Sequence, residues 1–219
     1  MRVHSIFQSI NGECTRFHQG SICTFIRLAG CNLRCGYCDT THAQEDDSGK
    51  EMNLDRIVLQ VRELQNVNVT ITGGEPLYQK AELKELVQEL HYRENLISIE
   101  TNGSYRIPSG LGWPVDCWVV DWKGPSSGMR NKMSVANFKD LCGRDFVKFV
   151  IKDYGDFNDA MHAVIRILKQ SINHPNFAFS PMWNQIDHAV LAKWMLGEPR
   201  LKECGAIFNL QIHKIIAVE

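Results

Sequence analysis

The stretch SICTFIRLAGCNLRCGYCDT, Ser21–Thr40, carries a β-branched, apolar run straight into three closely spaced cysteines. Ser21–Leu28 has strand composition. Cys31, Cys35 and Cys38 then form C-x3-C-x2-C, a spacing with roughly a 1% chance of arising at random in this composition. A ligand-bearing loop at the C-terminal end of a strand is where barrel-type α/β proteins place their chemistry. Working outward, Asn68–Thr72, Leu96–Glu100, Cys117–Asp121, Phe146–Ile151 and Asn176–Ser180 also read as strands, with a last short one in Ala206–Leu210. Between them lie segments of helical period: Leu54–Leu64, Phe157–Leu168, Asp187–Leu196, and the run after Pro76, where Leu83, Leu86, Val87 and Leu90 share one face. Asp39–Lys50 and Tyr105–Pro114 have loop composition. The expectation is a single α/β domain over residues 1–219. Its about six mostly parallel strands, fewer than the eight of a closed barrel, suggest an incomplete, partial TIM-like βα barrel.

Composition narrows the client. The 219 residues hold 24 Lys+Arg and 25 Asp+Glu, a formal charge of −1, with no segment gathering one sign. A nucleic-acid partner demands a basic stripe, so a small molecule is expected instead. No apolar run approaches the length of a membrane span and no leader precedes the first strand, so the expected setting is cytoplasmic, without a membrane partner. Eight cysteines in such a chain suit metal ligands or reduced thiols better than disulfides. Cys14, Cys23, Cys117, Cys142 and Cys204 show no ligand spacing and read as buried or incidental thiols.

Three thiolates on a short loop can hold three corners of a [4Fe–4S] cubane and leave the fourth iron open for another ligand. The alternative is a zinc knuckle completed by His42 or another cysteine. C-x3-C-x2-C with an aromatic residue before the last cysteine, followed by GGEP at Gly73–Pro76, resembles the radical S-adenosylmethionine superfamily. More finely, FQSINGE (Phe7–Glu13), FIRLAGCNLRCGYCDT (Phe25–Thr40), ITGGEPL (Ile71–Leu77), IETNG (Ile99–Gly103) and LQIHK (Leu210–Lys214) resemble the 7-carboxy-7-deazaguanine synthases from one end of the chain to the other.

That resemblance implies a radical ring contraction of 6-carboxy-5,6,7,8-tetrahydropterin to 7-carboxy-7-deazaguanine and ammonia, on the route to queuosine and related deazapurines. It further implies a [4Fe–4S] cluster, S-adenosylmethionine and Mg²⁺ as cofactors, a flavodoxin- or ferredoxin-type electron donor, and a homodimer. Residue by residue, Cys31, Cys35 and Cys38 match the cluster ligands and Thr40 the magnesium ligand. Tyr37, Cys38, Asp39, Gly74, the strand end Asp121, Trp122 and Lys123, and the segment Ser180, Pro181, Met182 and Trp183 match positions that bind S-adenosylmethionine. Arg27 matches the substrate-carboxylate arginine. Glu13 and Glu100 match acceptors for the pterin edge, and Ile10, Asn11, Gly12, Thr72, His213 and the terminal Glu219 match further substrate contacts.

Departures from the family pattern fall at Asn11, where many members have Gln, at Cys14 in place of Gly, and at the DWK and SPMW segments in place of SPK and QPM. The rival readings are a glycyl-radical activating enzyme, which often carries extra ferredoxin-type cysteine runs absent here, and a non-catalytic iron–sulfur or zinc module.

Overall fold

The computed structural model describes every residue except Leu111, Ile172 and Glu219. Its strands are β1 (Arg2–Ile10), β2 (Ile22–Leu28), β3 (Lys50–Glu51), β4 (Asn68–Gly73), β5 (Leu96–Thr101), β6 (Cys117–Trp122), β7 (Phe146–Ile151), β8 (Asn176–Pro181) and β9 (Ile207–Phe208). They form one open sheet in the order β3-β1-β2-β4-β5-β6-β7-β8-β9. From β2 through β4 to β9 every pairing is parallel. β1 pairs antiparallel with β2 and β3. The expected partial barrel is therefore present, with each strand read from the sequence in place.

β1 and β3 lie outside that reading. In RVHSIFQSI only Val3 is buried, because this strand flanks the parallel array and its half-polar composition hides the period-two signal that burial on one face would leave. β3 is two exposed residues paired to Arg2 and Val3. It sits within the expected loop Asp39–Lys50 and its margin, which also holds short 3-10 turns at Thr41–Ala43 and Asp46–Ser48.

The helices form where apolar period and caps coincide. Asn53 caps α1 (Leu54–Leu64) by accepting from the Arg56 N–H at 3.0 Å, and Ile57, Val58 and Val61 are buried. After a 3-10 turn at Pro76–Gln79, α2 (Lys80–Tyr92) buries the predicted Leu83, Leu86, Val87 and Leu90. Asp153 caps α3 (Tyr154–Gln170) and Asp187 caps α4 (His188–Gly197). Two short helices, α5 (Pro199–Glu203) and α6 (Ile212–Ile215), finish the chain.

Strand periodicity divides the sheet into two chemistries. On the face toward the helices, Ile26, Ile71, Ile97, Ile99, Val120, Val147, Phe149, Phe177 and Phe179 join the helix side chains in one core cluster. Each such side chain contributes about 1.5–3 kcal/mol by leaving water. On the opposite face the intervening positions are Arg27, Thr72, Glu100, Asp121 and Lys148, and all five line one cavity. A small apolar plug of Cys14, Cys117, Val119 and Ala178 also occupies this inner side. Hydrophobic burial thus fixes the orientation of the polar set, since a one-residue register slip would exchange the two faces.

Candidate functional site

The cavity has a volume of about 770 Å³ and is walled by the inner strand face, the cysteine loop and the C-terminal turn. Cys31, Cys35, Tyr37, Cys38, Asp39 and Thr40 line it from the loop. Burial pushes the Cys31 and Cys35 thiols above the ordinary thiol range. Among the described residues no three His, Cys, Asp or Glu side chains converge on one point as a mononuclear ion requires. The three thiols share one cavity wall and lie near enough that Cys38 adds to the rise at Cys31, and Cys38 and Cys31 to that at Cys35, and thiolates grouped on one loop are donors suited to an iron–sulfur cluster. His42, one candidate for the fourth zinc ligand of the alternative reading, lines the same cavity with its ring centroid 4.9 Å from that of His4.

The loop is held by the second motif. Gly74 N–H donates to the Leu28 carbonyl at 2.9 Å and Glu75 N–H to the Gly30 carbonyl at 2.8 Å. A Cβ on Gly74 would stand 2.1 Å from the Gly30 oxygen. The glycine is therefore required by a backbone crossing. Glu75 is fully buried, and its carboxylate accepts from Leu77 N–H at 2.8 Å, Thr101 Oγ1 at 2.7 Å and Asn102 N–H at 2.7 Å. Asn102 in turn donates to Asn32 Oδ1 at 3.0 Å and lies 3.8 Å from Cys31 Sγ. The GGEP and TNG segments are thus two ends of one brace on the cysteine loop.

At the N-terminal side, Ile10, Gly12 and Glu13 line the cavity. Gly12 packs so closely under His213 that its missing Cβ would overlap the ring. The Gly12 carbonyl accepts from Ile212 N–H at 2.9 Å, which seats the C-terminal turn on this segment. Burial lowers the His213 pKa, so the ring is held toward its neutral form. Arg27 projects into the cavity with its guanidinium 5.4 Å from the Phe7 ring. Glu100 Oε2 accepts from the Thr72 hydroxyl at 2.9 Å. Burial raises the Glu100 carboxyl, with Lys148 pulling it down and Glu13 pushing it up.

One buried cation links these groups. Lys148 Nζ lies 2.5 Å from Glu13 Oε2 and 3.2 Å from Asp121 Oδ1. Asp121 Oδ2 meets Lys123 Nζ at 2.5 Å, and Gln211 Nε2 donates to Glu13 Oε1 at 2.7 Å. Burial opposes the charge on Lys148, yet Asp121, Glu13 and Glu100 hold its pKa well above the ordinary lysine value. Burial likewise works against ionised Asp121, and Lys123 and Lys148 outweigh it. Lys148 lies outside the sequence motifs, and Gln211 lies inside LQIHK without having been assigned a role there. The signal for Lys148 was the single cation at an inward position of FVKFVI.

Other expected residues divide by strand parity. Asp121 and Lys123 line the cavity, whereas Trp122 packs on the outer side, with its Nε1–H donating to Asp159 at 2.8 Å and its ring against Phe138. Met182 and Trp183 line it. Ser180 is buried beneath and accepts from Asn209 at 2.8 Å, and Pro181 is buried without reaching the cavity. The Asn11 side chain also turns away, donating to Ser21 Oγ at 2.8 Å and accepting from Thr70 Oγ1 at 2.7 Å. Gly74, Thr72 and Thr40 line the cavity. Thr40 precedes the 3-10 turn as its N-cap, but its hydroxyl makes no capping bond. Glu219 lies outside the described residues.

The assembled site brings three thiols on one cavity wall together with a guanidinium and carboxylates on the facing strand surface. Residues 25–107 match the model of the radical SAM superfamily. The chain is 36% identical to the 7-carboxy-7-deazaguanine synthase of Clostridium acetobutylicum, an alignment covering 96% of this chain and 93% of the relative. It is 35% identical to the 7-carboxy-7-deazaguanine synthase of Methanospirillum hungatei, over 100% of this chain and 86% of that one. The solved structure of QueE from Escherichia coli superposes with a TM-score of 0.71 at 18% identity, covering 95% of this chain and 92% of that chain.

Proposed function

The chain belongs to the 7-carboxy-7-deazaguanine synthase family within the radical SAM superfamily, and on that premise we propose that it converts 6-carboxy-5,6,7,8-tetrahydropterin to 7-carboxy-7-deazaguanine and ammonia. The observation that carries this reading is the inner strand face, where Arg27, Glu13 and Glu100 meet in the same cavity as the three cysteines. Such a set recognises a carboxylated bicycle with a guanidine-like edge.

Cys31, Cys35 and Cys38 are the donors suited to a [4Fe–4S] cluster, which with S-adenosylmethionine would supply a 5′-deoxyadenosyl radical able to take hydrogen from the pterin. Around that chemistry the chain's own groups bind and orient. Arg27 grips the substrate carboxylate, and Glu13 and Glu100 accept from its ring edge. His213 and Gly12 shape the wall behind it. Thr40, its hydroxyl free of a capping duty, would offer the protein oxygen to Mg²⁺, a hard ion that readily takes oxygen ligands and would help to orient the substrate carboxylate. Tyr37, Asp39, Gly74, Asp121, Lys123, Met182 and Trp183 border the space for the methionine, ribose and adenine parts. Holding the substrate in one orientation directs the radical toward rearrangement and away from quenching.

A homodimer, a flavodoxin- or ferredoxin-type reductant and a cytoplasmic setting belong to the same reading. No described helix is long and apolar enough to cross a membrane. A cavity furnished with an arginine and two buried acids has no use in an activase that works on a protein backbone. Anaerobic turnover of the reconstituted protein with 6-carboxytetrahydropterin, followed by mass detection of the deazapurine, tests the proposal. Cleavage of S-adenosylmethionine without deazapurine would refute it and leave a radical enzyme of another substrate.

A further inference from the structure

Lys148 is the only group in the described site that touches acids from both halves of the cavity. Glu13, on its first side, belongs to the segment over the substrate space, and Asp121, on its second, borders the space assigned to S-adenosylmethionine. The line continues outward at both ends, from Gln211 through Glu13 to Lys148, and from Asp121 to Lys123. Lys148 and Asp121 are direct partners in the β6–β7 register, so the backbone holds their stems side by side. Lys148 itself is 8% exposed, which leaves its ammonium few waters and makes the carboxylates its main solvation.

We propose that Lys148 is a positioning residue that holds Glu13 and Asp121 in one rigid line, so that the substrate and S-adenosylmethionine are bound in a fixed mutual register. The inference rests on the function proposed above and adds a residue to it. A hydrogen-abstraction step depends steeply on that register, because a displacement of about 1 Å at a reacting pair costs on the order of a hundredfold in rate. A second consequence is electrostatic. Three acids, Glu13, Glu100 and Asp121, act on Lys148, Lys123 is a second cation on Asp121, and Arg27 lines the same cavity. Cys14, His213 and Asp39 also interact with Lys148, and Lys214 reaches this group through its ion pair with Asp39. Without Lys148, Glu100 loses the cation that most opposes the effect of its burial, and it is the acid expected to take up a proton. A protonated Glu100 no longer accepts from the pterin edge, so binding would be lost first at low pH.

The test compares Lys148→Met with the wild-type holoenzyme, after wild-type turnover has established the reaction. Iron content and thermal midpoint report whether the variant folds and loads. Calorimetric binding of S-adenosylmethionine and, separately, of pterin-6-carboxylate reports the two half-sites without catalysis. The expected result is a fall in kcat/KM for the pterin of roughly tenfold or more, with its acid limb moved up by about one pH unit and both bindings weakened. Activity would then partly return as pH rises. A uniform fall with an unmoved acid limb, or unchanged binding at either half-site, would overturn the proposal. If Lys148→Met does not fold, Lys148→Arg replaces it with a distinct expectation: charge is kept, so the limb stays while KM rises. A shifted limb in Lys148→Arg, or insolubility of both variants, would assign Lys148 to the core and refute a positioning role. Absence of product from the wild type would instead refute the substrate assignment, a separate outcome.

Discussion

Glu75 and Asn102 lie 27 residues apart and meet where the Glu75 carboxylate accepts the Asn102 backbone N–H at 2.7 Å. The Asn102 side chain passes that constraint on to Asn32 and Cys31. Glu75→Ala strands three donors at once, those of Leu77, Thr101 and Asn102. At about 1–3 kcal/mol for each unsatisfied buried group, partly relieved by water entering the gap, the loss should be about 3 kcal/mol or more. The expected outcome is a lower thermal midpoint together with sub-stoichiometric iron after reconstitution. A variant that loads a full complement of iron would show that the brace does not order the cysteine loop.

Gly74→Ala tests the other strut of the same brace. Its Cβ would stand 2.1 Å from the Gly30 carbonyl oxygen and 2.8 Å from that of Ala43. Both obstacles are backbone, so no side-chain rotation relieves the overlap, and the cysteine loop must move as a unit. Iron content and S-adenosylmethionine binding should both fall. If binding fell with iron content intact, the glycine would be serving a ligand approach and not the crossing.

The fold was legible because the parallel strands bury both faces and leave continuous β-branched runs, and because the helix faces repeat cleanly, as at Leu83, Leu86, Val87 and Leu90. β1 was not, since its residues are half covered and their polar character obeys no single period. At the site, the motif segments supply Glu75 and Asn102 beside the cysteine loop, whereas Ser127, whose carbonyl accepts from Gly36 N–H at 3.0 Å, borders it from outside any motif. Motif matching also marked whole segments where only alternate side chains face inward, so Trp122 was gathered in with Asp121 and Lys123. Lys148 escaped for the opposite reason. A lone lysine in FVKFVI has no motif, and its meaning comes from Glu13, 135 residues away in sequence.

Arg27→Lys keeps the charge and discards the planar fork. A guanidinium can present two parallel N–H groups to a carboxylate and an ammonium cannot. The variant should lose roughly tenfold or more in kcat/KM for the pterin, mainly through KM, while S-adenosylmethionine cleavage without substrate is retained. Steady-state kinetics across pterin concentrations check this. Unchanged kcat/KM would remove Arg27 from the carboxylate site.

His213 gives the C-terminal turn a pH dependence whose sign follows from burial. The folded-state pKa is lowered from 6.5, so in this range the unfolded chain binds the proton first. Stability contributed by the neutral ring is present above about 6.5 and is lost as pH falls through the lower folded value. Hydrogen exchange of Ile212–Ile215, corrected for intrinsic rates, should show protection at about pH 7.5 that declines by about pH 5.5. In His213→Gln the decline should be smaller. Equal protection at both values in the wild type would place the ring outside the packing of this turn.

Thr40→Val replaces a hydroxyl by a methyl of similar volume, next to the cluster loop but beyond its last cysteine. The Thr40 hydroxyl lies 3.7 Å from Cys38 Sγ and makes no bond that closes the following turn. The substitution should therefore leave the fold and iron content unchanged. What it removes is the proposed protein oxygen on Mg²⁺, and an ion that relies mostly on water and substrate is sensitive to losing its single protein anchor. Turnover should fall and require higher magnesium for half-saturation. Because the radical still forms but its substrate is less firmly oriented, 5′-deoxyadenosine should accumulate in excess of deazapurine. Magnesium titrations of both proteins, with the two products quantified side by side, separate the cases. Superimposable curves and a constant product ratio would return Thr40 to the loop and put the metal, with the substrate carboxylate it steers, on other oxygens.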